Sequence, residues 1–271
     1  MTYAVPEVSD RTLKELLSLK GRRAVVTGGG RGLGKAIATR LAEAGADLLI
    51  GDLDEESARQ AATELRDRYA VATCGMRMDV TDTTSVAGVV QVAAARLGGI
   101  DIWVNNAGIF PSVPLLEMTD SLWDEVFAVN SRGVFVGARE AARHMTAAGN
   151  GGVIINVIST AGFRGTAPGL SAYVSSKHAA RGMTRQLALE LAPYGIRVLG
   201  VAPTYIPTEG NQIAASSQPM PTDALPAMML TSRLGRIGVP DDIARVALFC
   251  ASDLSAFMTG STLLADAGET L

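Results

Sequence analysis

Ala24-Val25-Val26-Thr27-Gly28-Gly29-Gly30-Arg31-Gly32-Leu33-Gly34 is an apolar run that ends in glycines and leads into a helical pattern near residues 31–44. A strand that enters a helix through a glycine-rich turn lets the backbone approach a ligand closely. It also aims N–H groups at an anion such as a pyrophosphate. Consecutive glycines in a turn without a ligand would raise the entropy cost of folding and add no burial. Two better-known glycine patterns do not apply. G-x-G-x-x-G fits no frame, and the P-loop spacing from Gly29 to Gly34-Lys35 is followed by Ala36, where a Ser or Thr must hold magnesium.

Outward from this turn, short apolar runs alternate with helical patterns. After residues 24–27 the runs are 46–50, 70–73, 100–104, 153–157, 196–201 and 261–265. The helical patterns lie near 31–44, 54–68, 83–97, 120–148, 172–193 and 240–251. Apolar residues at successive positions suit strands covered on both faces. The rhythm predicts an α/β fold, a doubly wound parallel sheet of about seven strands with helices on both faces. Gly45, Gly98-Gly99, Gly149 to Gly152, Pro193 and Gly195 mark helix ends. Residues 1–20 read as an N-terminal extension with a short amphipathic helix near 9–19, capped by Ser9 or Asp10, with Leu13, Leu16 and Leu17 on one face. Residues 21–271 read as one domain. Within it, residues 204–230 carry Pro207, Pro219, Pro221 and Pro226 with Met220, Met228 and Met229, and are expected to form a substrate lid.

The 271 residues suffice for a buried core, and 24 Lys and Arg against 27 Asp and Glu give a net charge of −3. The basic residues form no run, which gives no support to nucleic-acid binding. Cys74 and Cys250 have no partner at metal or redox spacing, and His144 and His178 show no zinc pattern. No secretory signal or membrane span is visible, so a soluble cytoplasmic protein is expected.

Two polar features bear on chemistry. The second apolar run ends at Gly51-Asp52, and a carboxylate there reaches ribose hydroxyls and repels a 2′-phosphate, favouring NAD over NADP. Arg31 argues the other way because it can pair with a phosphate, while Asp54 is expected as a helix cap. Tyr173-Val174-Ser175-Ser176-Lys177 sets a phenol and an ammonium at i and i+4, on one helix face, with Ser159 upstream. A phenol ordinarily ionises near pH ~10. A lysine cation beside it would lower that value and make it a proton donor and acceptor near neutrality.

Together with Asp79-Val80 and Asn105-Asn106-Ala107-Gly108, these features make the chain resemble the short-chain dehydrogenase/reductase family, from about residue 20 to residue 268. The motifs are TGxxxGxG, NNAG and YxxxK. The resemblance implies a single Rossmann-type domain and NAD(H)-dependent interconversion of a secondary alcohol and a ketone. It implies that Ser159, Tyr173, Lys177 and Asn130 are catalytic, with Asn130 holding a water that links Lys177 to solvent. It puts Asp79 on the adenine, Asn106 on the adenosine ribose and Lys177 on the nicotinamide ribose. The backbone near Ile206 and the Thr208 hydroxyl would hold the carboxamide. Gly28, Arg31, Gly32, Leu33, Gly34, Asp52, Val80, Ala107, Gly108, Tyr173 and Pro203 complete the expected cofactor site, and no metal is expected.

Several positions depart from the family pattern. Ser159 lies one residue further from Tyr173 than is commonest, with the extra residue in Thr166-Ala167-Pro168-Gly169. Pro203-Thr204 replaces Pro-Gly, Leu199 stands where Asn is usual, and Ala265-Asp266-Ala267-Gly268 replaces Asp-Gly-Gly. All leave the reacting groups in place. An epimerase or dehydratase on the same Tyr–Lys pair would usually have a longer C-terminal substrate domain, and a non-catalytic dinucleotide sensor has no use for the proton donor. Ile109, Phe110, Pro111, Phe163, Tyr205, Met220, Met228 and Met229 predict an apolar or cyclic small-molecule substrate. Val134, Phe135, Val136, Met183, Leu187 and Leu191 exceed one apolar stripe and suggest a subunit interface; the resemblance implies a homotetramer.

Overall fold

The inner strands of the sheet are buried from both sides, the two edge strands only in part, and the packing alternates residue by residue. A computed structural model of the chain describes residues 7–209 and 232–271. The strands are β1 (Arg23–Thr27), β2 (Asp47–Asp52), β3 (Thr73–Arg77), β4 (Ile102–Asn105), β5 (Gly152–Val157), β6 (Ile196–Pro203) and β7 (Thr262–Ala265). All pairs are parallel, in the order β3-β2-β1-β4-β5-β6-β7. Ala24 and Val26 of β1, Leu48 and Ile50 of β2, and Ile155 of β5 enter one core layer. Val25, Leu49 and Ile154 point into the other. This is the doubly wound parallel sheet that the unbroken apolar runs predict.

Helices α2 (Gly32–Glu43) and α8 (Pro240–Ala251) cover the first layer through Ile37, Leu41, Ile243 and Cys250. Helices α4 (Thr83–Leu97), α6 (Gly133–Ala148) and α7 (Ser171–Leu191) cover the second through Val86, Val89, Val136, Met145 and Ala188. Strand order reverses between β1 and β4, so the connections after these neighbours run to opposite faces. The crevice at their carboxyl ends is where open α/β sheets bind ligands.

Local chemistry sets the element ends. Asp54 caps α3 (Glu55–Tyr69) by accepting from the Ser57 N–H, as expected. Ala70 then ends α3 in left-handed backbone at φ 56°, so the expected strand over 70–73 begins only at Thr73. The expected helix over 120–148 is two helices, α5 (Asp120–Phe127) and α6, joined by a π-helical turn at Ala128–Arg132. Helix α1 spans only Leu13–Leu17, because Thr12 and Glu15 form a capping box that excludes Ser9 and Asp10 from the cap. Its leucines do not form a buried face; Leu19, just beyond it, is the residue that enters the core. Residues 210–230 of the expected lid lie outside the described residues.

Candidate active site

The glycine turn is held from two sides. The Thr27 hydroxyl accepts the N–H groups of Asn106 at 2.9 Å and Ala107 at 3.0 Å, which ties the end of β1 to the segment after β4. Asn106 Nδ2 donates to the carbonyls of Thr27 at 3.0 Å and Gly28 at 2.9 Å. The Asn106 amide N–H groups, expected toward a ribose, are therefore directed into the turn itself. A Cβ on Gly34 would overlap the Gly28 carbonyl oxygen and lie 2.5 Å from Asn106 Nδ2. A Cβ on Gly28 would stand 2.9 Å from Ala107 Cα. Only glycine fits either position, which supplies the physical reason for the motif.

Carboxylates meet the N–H groups of this turn. Asp52 Oδ2 accepts from Gly30 at 3.0 Å and its Oδ1 from Asp54 at 3.1 Å. Glu209 Oε2 accepts from Gly32 at 3.2 Å, and Thr208 lies against the same glycine. An anion thus already sits on the turn, and the glycine cradle with its aimed N–H groups fits the phosphate bridge of a dinucleotide. Arg31 is exposed at the cap of α2 and makes no side-chain cap bond. Asp79 is held by the Thr81 N–H at 2.9 Å and hydroxyl at 2.7 Å, bonds that lower its carboxyl below the usual range. Val80 is buried against Gly133.

At the other end of the crevice, β5 delivers Ser159 and α7 delivers Tyr173 and Lys177. The Ser159 hydroxyl accepts the Ala161 N–H at 3.1 Å and hydrogen-bonds the Tyr173 phenol. Lys177 is 5% exposed; its Nζ donates to the Val157 carbonyl at 3.0 Å and lies 5.7 Å from the Tyr173 ring centroid. The sequence leads one to expect that Lys177 lowers the phenol. Instead, burial raises Tyr173, against the lowering effect of the Ser159 hydrogen bond, and pushes Lys177 down to about 8. Removal from water penalises the charged form of each.

Asn130 is fully buried within the π-helical turn. Its amide exchanges bonds with the Ile109 backbone, at 2.9 and 2.7 Å, and donates to Ser176 Oγ at 3.1 Å. A Cβ on Gly108 would lie 3.2 Å from Asn130 Oδ1 and 3.6 Å from Lys177 Nζ, so these three residues meet. Phe110 stands edge-on to Tyr173, with ring centroids 6.1 Å apart. Phe163, expected toward substrate, is partly buried and packs with Ile158, Ala180 and Ala202 under the Arg181 guanidinium. Ile206 is buried in the core, and Pro203 pairs with Ala265 at the end of β6. Met220, Met228 and Met229 lie outside the described residues. Val134 and Val136 are buried within their own chain rather than facing a partner, whereas Phe135 and Leu189 are exposed.

A buried polar chain beneath the site escaped the sequence reading. Trp103 Nε1 donates to Asn105 Oδ1 at 2.7 Å, Asn105 to Asn156 at 2.9 Å, and Asn156 to the Thr184 hydroxyl at 2.9 Å. It joins β4, β5 and α7. The available signal was a pair of asparagines inside otherwise apolar strands, since a buried amide must find partners. Among the described residues there is no His/Cys/Asp/Glu cluster suited to a metal, and no helix is long and apolar enough to cross a membrane.

Residues 28–270 match the profile of a family described as enoyl-(acyl carrier protein) reductase. The chain is 38% identical over 251 residues to 3beta-hydroxysteroid dehydrogenase 2 of Eggerthella lenta, covering 92% of this chain and 95% of that protein. It is 40% identical over 250 residues to cis-4-hydroxycyclohexanecarboxylate dehydrogenase of Sinomonas cyclohexanicum, covering 92% and 96%. A short-chain type dehydrogenase/reductase from Mycobacterium marinum superposes with TM-score 0.89 at 35% identity, over 96% of this chain and 99% of that one. A gluconate 5-dehydrogenase from Burkholderia cenocepacia, solved with NADP and tartrate, gives TM-score 0.87 at 36% identity over 96% and 99%.

Proposed function

The chain belongs to the short-chain dehydrogenase/reductase family and is an oxidoreductase acting on CH–OH groups, and from that premise we propose that it uses NAD(H) to interconvert a small apolar or cyclic secondary alcohol and its ketone. The observation that carries the reading is the meeting of the Ser159 hydroxyl, the Tyr173 phenol and the buried Lys177 at one end of a crevice whose other end is a glycine cradle. When bound, a nicotinamide dinucleotide supplies the hydride acceptor or donor. Gly28, Gly32, Leu33 and Gly34 would hold its phosphates, Asp52 the adenosine ribose, Asp79 and Val80 the adenine pocket. Asn106, Ala107 and Gly108 would line its path, with Lys177 on the second ribose and Pro203, Ile206 and Thr208 beside the carboxamide.

The chain's own chemistry is proton handling. In reduction the Tyr173 phenol gives its proton to the carbonyl oxygen; in oxidation that proton must first pass by way of Lys177 toward solvent, and the phenolate then takes the hydroxyl proton. Ser159 donates to the same oxygen and steadies the charge that develops there. The raised phenol holds its proton firmly at rest, which suits a donor. Lys177, poised at about 8, exchanges a proton near neutrality and holds the phenolate when it forms. Asn130, on the π-helical turn beside Lys177, would complete the path to solvent; such turns loosen the regular hydrogen-bond ladder.

NAD is favoured because Asp52 stands at the tip of β2, where a 2′-phosphate would meet a carboxylate. The NADP in the Burkholderia structure makes this a point for measurement. We further assign a homotetramer, with Phe135 and Leu189 at the subunit contact, and a cytoplasmic location consistent with free Cys74 and Cys250. The deciding assay is a panel of cyclic and open-chain secondary alcohols with NAD and NADP. The expected result is turnover of a cyclic alcohol, with a specificity constant at least about tenfold higher for NAD, a difference of about 1.4 kcal/mol. A tenfold preference for NADP would refute the Asp52 assignment, and no turnover across the panel would refute the reaction.

A further inference from the structure

The carboxylates on the glycine turn are not equivalent. Asp52 lies beside the turn because β2 pairs with β1, and it binds Gly30 in the middle of the loop. Glu209 comes from the segment after β6, a sequence separation of 177 residues, and binds the N–H of Gly32. Gly32 is the first residue of α2, whose cap, Arg31, supplies no side-chain bond. Its N–H is therefore one of the unsatisfied donors at the positive end of a 12-residue helix. Thr208 closes on the same point, its Cβ 3.3 Å from where a Cβ on Gly32 would stand. The Glu209 carboxylate thus does at α2 what an anionic ligand does at any helix N-terminus: it accepts the orphan bond and answers the partial positive charge.

We propose that Glu209 is a built-in competitor for the phosphate bridge of the dinucleotide, capping α2 in the free protein and leaving Gly32 when the cofactor binds. This rests on the reading of the glycine turn as the dinucleotide seat. One N–H cannot serve two anions at full strength, and the exposed Glu209 carboxylate beside a pyrophosphate repels it. The cofactor therefore binds more weakly than the cradle alone would allow. Such a device suits an enzyme that must release its dinucleotide on every turnover, a step that often limits kcat. It also keeps the turn folded between turnovers, because the helix end is never left without a partner.

The test uses the full chain, with Glu209→Gln, which keeps the size and an acceptor oxygen but removes the charge, and Glu209→Ala as a second variant. Dissociation constants are measured by calorimetry for ADP, which carries the phosphate bridge, for adenosine, which carries none, and for NADH. Both variants are expected to bind ADP and NADH about three- to tenfold more tightly, the range expected for one charge at a helix end. Adenosine affinity should stay within about twofold. Unchanged or weaker ADP binding in both variants would overturn the proposal, as would an equal gain for adenosine, which would report a change in packing. A wild-type chain that binds neither ADP nor NADH would overturn the dinucleotide reading itself, and the Glu209 proposal with it.

Discussion

The two ends of the crevice are built from different materials. At the dinucleotide end the working groups are main-chain N–H and carbonyl groups, shaped by glycines and stapled by Thr27 and Asn106. The cradle itself lies in two short stretches brought together because β1 and β4 are neighbours. At the Ser159–Tyr173–Lys177 end the working groups are side chains, and their properties come from burial. Lys177 shares a face of α7 with Thr184, which the Asn105–Asn156 chain anchors to the sheet. One end recognises shape and does not titrate through its backbone donors. The other handles protons and owes that to residues far away in sequence. Substitutions at the two ends should therefore fail in different ways.

The largest separation is expected from Tyr173→Phe. The ring, its edge contact with Phe110 and its packing remain, while the transferable proton and the bond to Ser159 are lost. Turnover should fall by about 10²–10⁴-fold, the usual contribution of a positioned acid or base, with NADH affinity and unfolding temperature nearly unchanged. Steady-state kinetics beside an NADH fluorescence titration checks this. A variant retaining near wild-type kcat would show that the proton path runs through another group, and the contrast between the ends would collapse.

The reciprocal experiment is Gly34→Ala. The new methyl would collide with the Gly28 carbonyl and with Asn106 Nδ2, both parts of the staple, so the turn must open. Overpacking of this kind costs about 1–3 kcal/mol of stability. Dinucleotide binding should be lost with it, whatever the state of the Tyr173 phenol. Gly88→Ala in α4 is the control, because a Cβ there meets nothing within 4 Å. It should stabilise the chain by up to about 1 kcal/mol through helix propensity. If chemical denaturation ranked these two alanines equally, shape would not be what the glycine turn encodes.

The same contrast explains what the sequence makes legible. The sheet is readable because strands covered on both faces are apolar at successive positions, and the glycine turn because only glycine allows such close backbone approach. The end of α3 is not readable. Ala70 and Val71 look like strand residues, and only the left-handed turn at Ala70, a tertiary choice, delays β3 to Thr73. The break at Ala128–Arg132 is hidden for a similar reason, since a π-helical turn keeps helix-forming residues in place. Tyr173 and Lys177 are visible as a spacing, but the direction of their proton affinities is not. Spacing reports proximity, whereas burial depends on the whole fold. Glu209 gave no local signal at all, because its partner Gly32 is brought to it only by the order of the strands.

The smallest expected effect sharpens the comparison by isolating burial. Lys177 is pushed from its ordinary 10.5 down to about 8, with burial as the cause. A lysine whose affinity for protons is lower in the folded chain leaves the unfolded chain holding more protons between those two values. Stability must then rise with pH through that window, and the cost of the buried charge is felt in full below it. Tyr173 is shifted the opposite way, so its effect enters only above the ordinary phenol range. Lys177→Met removes the titrating group while keeping much of its bulk. Between roughly pH 8 and pH 9, the lower part of the window, the wild-type chain should gain about 1 kcal/mol relative to this variant in urea unfolding. Gly34→Ala, which leaves Lys177 in place, should keep the wild-type slope despite its lower stability. Parallel pH profiles for the wild type and Lys177→Met would mean that the ammonium stays hydrated, and that the Ser159–Tyr173–Lys177 end is no drier than the glycine cradle opposite.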